Sequence, residues 1–349
     1  MLGFVAAIAA CALVAPPAFA GAANGGLAHA PRGNPLAGLP WGTYTGTGDG
    51  LYPAYQSARG RDRQLLARIA LRPLAFWFGA WDRDSDAGNV ARQYIANVTA
   101  GDPNKLAQLT VFRLDPWEQD ACSHVPGPAA QASYRNWTDN FAAGVGRSRV
   151  ALILQPDLPF ATCSPNQGVV LGLVAYAAKR FSALPHTTVY IDAGAWQWTS
   201  PDMAASLLVR AGVRHVRGFV LNATQYGSTQ DELGFGANII SALGARGVHG
   251  THFVVNTSQN GAPFLAGQYH GNVVNPRVCA NAGDHICATL GIPPTWHVTD
   301  SRWHLSGHAR SIAGRYADAY LWVGRPWLDN GAYPFDLARA LGLAASSPF

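Results

Sequence analysis

The sequence predicts an α/β fold, a distorted parallel (β/α) barrel of seven or eight strands in a single domain. Three observations lead there. Seven short runs are apolar almost without interruption, which marks strands buried on both faces. Helical segments lie between them, and βα units in series build parallel sheets or barrels. Several runs also end in a polar group: Ala151-Leu152-Ile153-Leu154 passes through Gln155-Pro156 to Asp157, and others stop at Asp192, Asn222 and Asn256. A strand that delivers such a group at its carboxyl end places it at the mouth of the fold, where these architectures keep their chemistry.

Taken in order, Leu2 to Ala20 are apolar and close on Ala18-Phe19-Ala20, a small-x-small cleavage pattern. Residues 1–20 therefore read as a signal peptide removed near Ala20, which predicts a secreted protein. The positive charge usual at the start of a leader is missing, which points to a misplaced start codon. Ile8-Ala9-Ala10-Cys11 resembles a lipoprotein box, but the apolar stretch before it is short for one. No later segment is apolar for long enough to span a bilayer, so stable membrane insertion is not expected. Residues 21–60, rich in Gly, Ala and Pro, read as an arm wrapping the domain, and residues 61–349 as the barrel. The strand runs are 74–78, 109–112, 150–154, 188–191, 218–221, 252–255 and 319–323. Ser164-Pro165 and Ser200-Pro201 each set a capping hydroxyl before a proline at the first helical position, while Gly212 and Gly247 fall where helices should stop. The longest stretch without a strand, 257–318, predicts a lid or groove wall over the barrel mouth. No linker divides the chain; no carbohydrate-binding module is visible, which argues against crystalline cellulose as the substrate, and a monomer is expected.

Composition narrows the function. The 349 residues are 48% hydrophobic and only 13% charged, with 11 Trp and 12 Tyr. Aromatic faces stack on flat, weakly charged ligands, of which sugars are the obvious class, although core packing accounts for most rings. The net charge is +5, but the Arg residues are scattered and form no basic stripe, so a nucleic-acid partner is not expected. Cys11 lies in the leader, which leaves Cys122, Cys163, Cys279 and Cys287. An even count in an exported chain favours two disulfides, for which three pairings exist. Cys279 and Cys287 are near enough in sequence to staple a loop, which leaves Cys122 with Cys163.

Asp157 is the foremost catalytic candidate; its bland reading is a capping or ion-paired residue. Asp192 either binds substrate or holds a loop. The cluster Asp115-Pro116-Trp117-Glu118-Gln119-Asp120 follows another strand and directly precedes Cys122. A bond from Cys122 to Cys163 would pin it beside the loop after Asp157, and neighbouring carboxyls push one pKa upward. A third acid, Asp329, follows the last strand. Carboxyls on opposite sides of a groove with stacking Trp nearby fit glycoside hydrolysis. Other chemistries find less support. There is no G-x-S-x-G elbow and no glycine fingerprint for a dinucleotide or phosphate. His297, His304 and His308 invite a metal, yet no H-E-x-x-H motif accompanies them. No cofactor or metal is expected.

The motifs together resemble glycoside hydrolase family 6, the inverting cellulases and cellobiohydrolases. They run from Asn34-Pro35-Leu36-Ala37-Gly38 through Tyr134-Arg135-Asn136-Trp137, Gln155-Pro156-Asp157 and Tyr190-Ile191-Asp192-Ala193-Gly194 with Trp198. Arg217-Gly218-Phe219-Val220-Leu221-Asn222, Asn256-Thr257-Ser258-Gln259-Asn260-Gly261 and Asp318-Ala319-Tyr320-Leu321-Trp322-Val323 complete the order. The resemblance implies a distorted barrel, hydrolysis of β-1,4-glucan with inversion, and no cofactor. It also implies Asp157 as general acid, Trp198 and Trp77 as sugar-stacking rings, and a first disulfide between Cys122 and Cys163.

The chain departs from the family at several of these positions. Gln155 stands where the family has Glu, and Asp120 or Glu118 where it has the Asp of Arg-Asp-Cys. Phe112 replaces an aromatic hydroxyl, Ala195 a His, Asn256 an Asp and Gly324 a Lys, with Arg325 adjacent. Asn330 falls on the proposed base, with Asp329 one place earlier. The resulting expectation is a secreted glycosidase acting on cellulose or a related β-glucan. Asp157 would be the acid, Asp120 its charged neighbour and Asp329 the best available base. Trp77, Asp192, Trp198, Asn222 and Trp322 would contact the polysaccharide. The alternative is a catalytically impaired glycan-binding protein on the same fold.

Overall fold

Seven parallel strands run side by side in chain order: β1 Phe76–Gly79, β2 Ala107–Phe112, β3 Val150–Leu154, β4 Thr187–Asp192, β5 Gly218–Leu221, β6 His252–Asn256 and β7 Ala317–Leu321. The computed structural model describes residues 33–349 apart from Pro116, Glu118 and Gln119. The expected signal peptide, its cleavage point and residues 21–32 of the arm lie outside the described residues.

The strands are buried on both faces of the curled sheet. All five residues of β3 are buried. Leu152 and Leu154 face a layer shared with the outer helices, while Ala151 and Ile153 face an inner layer with Trp77, Tyr190, Val220, Val254, Ala319, Leu321 and Val323. Burying one such large aliphatic side chain contributes about 1.5–3 kcal/mol, so a strand that is apolar throughout gains on both sides. The first and last strands do not form a ladder with each other; the seam is crossed by Ala75 N–H donating to Trp322 O at 3.0 Å and Trp77 Nε1 donating to Val323 O at 2.7 Å. Seven strands curled almost into closure are the expected distorted barrel.

Helices α1 Leu51–Ser57, α2 Gly60–Ala70, α3 Ala87–Thr99, α4 Pro128–Val145, α5 Gln167–Ser182, α6 Pro201–Arg210, α7 Thr229–Gly244, α8 Gly307–Tyr316 and α9 Leu337–Ser346 surround the sheet. Ser200 caps α6 as anticipated, its hydroxyl accepting from Met203 N–H at 3.2 Å. Helix α5 starts later than the Ser164-Pro165 signal, because Asn166 is the residue that accepts from Val169 N–H. A satellite cluster joins α1, α2 and α9 to Phe264, Leu290, Trp322 and Trp327. It supports the long segment 257–318, which is stapled by the Cys279–Cys287 disulfide and carries α8 near its end. Among the described residues no helix is long and apolar enough to cross a membrane.

Strand β7 begins two residues before its apolar run because Asp318 is paired inside the barrel. Its carboxylate accepts from Arg217 Nε at 2.8 Å and Nη2 at 2.9 Å, and from Tyr190 Oη at 2.8 Å. A buried carboxylate is tolerated only with this degree of compensation.

Candidate active site

The most constrained backbone lies where β3 ends. Gln155 and Asp157 both adopt left-handed conformations, φ 54° and 64°, on either side of Pro156. Non-glycine residues occupy that region at a cost, and paired outliers at a strand terminus mark a functional turn. Gln155 is fully buried and its Oε1 accepts from the amides of Arg113 and Leu114, at 3.3 and 3.2 Å. It thereby clamps the end of β2 to the end of β3. Asp157 emerges from this turn 7% exposed, and its Oδ1 accepts from Thr224 Oγ1 at 2.7 Å.

Asp192, the last residue of β4, lies beside it and is 1% exposed. Its Oδ1 accepts from Gly194 N–H at 3.2 Å. Burial pushes this carboxyl well above the ordinary carboxylate range and the charge of Asp157 adds to the rise; the amides of Gly194, Asp157 and Leu158 offset part of it. The structure thus gives Asp157 a carboxyl neighbour in Asp192, where the sequence reading had assigned that place to Asp120. Asp120 itself is exposed, on a turn whose carbonyl accepts from Ser123 and His124. The disulfide that was to pin this turn does form: Cys122 and Cys163 have Cα atoms 4.8 Å apart.

Glu232 was not foreseen. It sits in the first turn of α7, fully buried, with both oxygens accepting from Trp196 N–H at 3.3 Å. Burial raises its pKa well above normal, and the charges of Asp231 and Asp192 add to this. A Cβ on Gly227 would lie 2.3 Å from its Oε1, so a side chain where the loop after β5 crosses this carboxyl would force Glu232 to move. In the sequence, Asp231-Glu232 reads only as the acidic first turn of a helix; nothing local tells a buried acid from a solvated one.

Other strand ends are scaffold. Asn222, φ 62° and fully buried, donates through Nδ2 to Gly227 O and Asn256 O and accepts from Gly227 N–H at Oδ1. Asn256 reciprocates, donating to Asn222 O and Ala223 O and accepting from the amides of Ser258, Val323 and Gly324. This amide ladder ties the mouths of β5, β6 and β7 together. Asn222 has its side chain committed to backbone, which corrects the expectation of a sugar contact.

The aromatic candidates divide. Trp198 is half-buried, meets Phe160 edge-on at 5.2 Å and borders a cavity of about 290 Å³ with Pro159, Thr162, Thr199, Ser200 and Met203. Trp77, in the inner layer, is 9% exposed and carries the guanidinium of Arg325 at 4.7 Å over its ring. Trp322 is 2% exposed, donates to Ile292 O at 2.9 Å and packs in the satellite cluster. Its ring has no open face for a sugar, so the expected contact is corrected to a core role. The alternation of β7 explains this, since Leu321 and Val323 point inward and Trp322 outward.

Asp329 is half-buried in the loop after β7, its Oδ1 accepting from Asn275 Nδ2 at 2.8 Å and Asn330 Nδ2 at 3.2 Å. Asn330, φ 50°, accepts in turn from Asn272 Nδ2 at 2.8 Å. Asp329 is thus held by Asn275 of segment 257–318 and by Asn330, while Asp157 is held by Thr224 beside Asp192. Two different supports hold the two acids. His304 ends a short 3₁₀ turn while His308 lies in α8, so they do not share one helix face. Among the described residues no group of three or more His, Cys, Asp or Glu side chains is placed to hold a metal.

With this geometry in view, known proteins supply a match. The sequence profile described as Glycosyl hydrolases family 6 covers residues 44–327. Endoglucanase A of Cellulomonas fimi is 35% identical over 251 residues, spanning 69% of this chain and 52% of that protein. Endoglucanase A of Thermobispora bispora is 30% identical over 294 residues, 80% of this chain and 57% of that protein. The chain thus spans little more than half the length of these relatives. Among solved structures, the endoglucanase Cel6 from Mycobacterium tuberculosis, in complex with methyl-cellobiosyl-4-deoxy-4-thio-β-D-cellobioside, superposes with a TM-score of 0.71 at 28% identity, covering 89% of this chain and 98% of that one.

Proposed function

The chain belongs to glycosyl hydrolases family 6, and from that premise we propose that it is a glycoside hydrolase cleaving β-1,4-glucosidic bonds in cellulose or a related β-glucan with inversion. The observation that carries this reading is the carboxyl pair at the ends of β3 and β4. Burial holds the Asp192 carboxyl well above the ordinary carboxylate range, with the charge of Asp157 adding to the rise, so the site keeps a proton beside Asp157. Asp157, the outer member, delivers that proton to the departing glycosidic oxygen. Asp192 replenishes and steadies it from below. Thr224 fixes the carboxyl through Oδ1. Positive charge then develops at the anomeric carbon and is met by the carboxylate left behind.

Water attacks from the opposite face. Asp329 is the proposed base, oriented by Asn275 and Asn330. The amide of Asn330 cannot accept a proton at useful pH, so the role falls to the residue before it. Inversion requires the two carboxyls to stand roughly 6.5–9.5 Å apart with room for the water between them. The polysaccharide stacks on Trp198, whose ring borders the open cavity. Export is supported by the two disulfides, which persist in oxidising compartments. The test is reducing-end release from soluble β-glucan, with the anomeric configuration of the first product read by NMR. An initial α-anomer supports the assignment. Retention of the β-configuration, or no release by the full chain, refutes it.

A further inference from the structure

We propose that Arg325 determines chain-length specificity by occupying the stacking face of Trp77, which confines sugar binding to the Trp198 side of the mouth. The inference rests on the glycosidase reading above and extends it to one residue. Trp77 is the second residue of β1 and lies in the inner layer with Ile153, Tyr190, Leu321 and Val323. Its indole N–H is bound to Val323 O, which fixes the ring plane, and Phe112 packs against it with ring centroids 5.5 Å apart. The face that remains is covered by the Arg325 guanidinium at 4.7 Å. A planar guanidinium stacked on indole takes the position a sugar ring would need.

The neighbourhood holds Arg325 there. Asp49, 4% exposed, accepts from Leu51 N–H at 3.1 Å, and its charge attracts that of Arg325. The loop that follows Arg325 is strapped to the arm carrying Asp49: the Tyr333 hydroxyl donates to Gly48 O, and Phe335 packs against Gly50, where a Cβ would lie 2.9 Å from its Cβ. Position 324 cannot carry the cation in its place without rearrangement, since a Cβ there would lie 2.4 Å from Gln259 Oε1 and 2.6 Å from Ser258 Oγ. Across the mouth, Trp198 has no such cover and borders an open cavity. One aromatic platform is open and the other is plugged from within the chain.

The test titrates cellotetraose into the full chain, read by tryptophan fluorescence and calorimetry, and maps the cleavage position on end-labelled cellohexaose. Removing Arg325 alone takes a favourable positive charge away from buried Asp49, so Arg325→Ala is paired with the charge-balanced Asp49→Asn/Arg325→Ala. The proposal expects affinity to tighten by about five- to tenfold in both. It also expects cleavage to shift by about one sugar along the chain, and both gains to vanish when Trp77→Ala is added. A residue with a merely structural role would give losses, not a gain that depends on Trp77. Unchanged or weaker binding in folded variants overturns the plug while Trp198→Ala still weakening the wild type leaves the glycosidase reading intact. If neither wild type nor variants bind or cleave any β-glucan, the glycosidase reading fails and the plug with it.

Discussion

The two sides of the barrel mouth are built by different means. On the Asp157 side, strand termini hold the chemistry: Gln155, Asp157, Asp192 and Asn222 each follow or end a strand within a few residues and are at most 7% exposed. On the Asp329 side the acid rides on a loop, oriented by Asn275 and Asn330 and strapped to the arm through Tyr333. A strand end inherits its position from a whole sheet of paired neighbours, whereas a loop acid depends on the few contacts it happens to make. The first side holds the proposed proton donor on a frame of paired strands, and the second holds the proposed base on a loop.

Predictions that separate the two sides follow in order of size. Asp157→Asn removes the proposed proton donor and is expected to lower kcat on soluble β-glucan by about 10²–10⁴-fold without unfolding the chain. Activity near wild type would take the donor off β3. Trp322→Ala empties a core site and should cost about 3–5 kcal/mol in denaturant unfolding. Trp198→Ala should leave unfolding nearly unchanged while weakening β-glucan binding by about tenfold. If the two swapped phenotypes, the division of the aromatic residues into core and platform would be wrong.

A smaller effect concerns pH. Asp192 and Glu232 have folded pKa values raised by burial. Above the unfolded carboxylate value of about 4, the unfolded chain has released these protons and the folded chain still holds them. Stability should therefore fall as pH rises from about 4 towards the raised folded values, by at most about 1.4 kcal/mol per pH unit for each group. Asp192→Asn and Glu232→Gln should each flatten that decline in thermal unfolding scans across this range. An unchanged slope in both would mean that neither carboxyl is protonated in the fold.

Much of the strand-borne side was legible in the sequence, because burial on both faces writes a strand as an apolar run and its end as the first polar residue. Asp157 and the seven runs are read that way, and the Cys122–Cys163 bond follows once Cys279 and Cys287 are paired. What escaped depends on contacts between distant segments. Trp322 reads as a sugar contact within its motif, yet strand alternation turns it into a core formed with α9 and the loop after β6. Asp120 is close to Cys122 in sequence, but the neighbouring carboxyl arrives from β4. Glu232 looks like a helix-capping acid until Gly227 and Trp196 close over it. Arg325 is one scattered arginine among many until its guanidinium is seen on Trp77.

The central claim, that Asp157 protonates the leaving group, is tested most directly by comparing two substrates in Asp157→Ala. The account predicts that hydrolysis of a cello-oligosaccharide, whose leaving sugar needs a proton, collapses by about 10²-fold or more, while a 2,4-dinitrophenyl cello-oligosaccharide, whose leaving group needs none, keeps most of its wild-type rate. Equal losses on both substrates, or none on either, would contradict it.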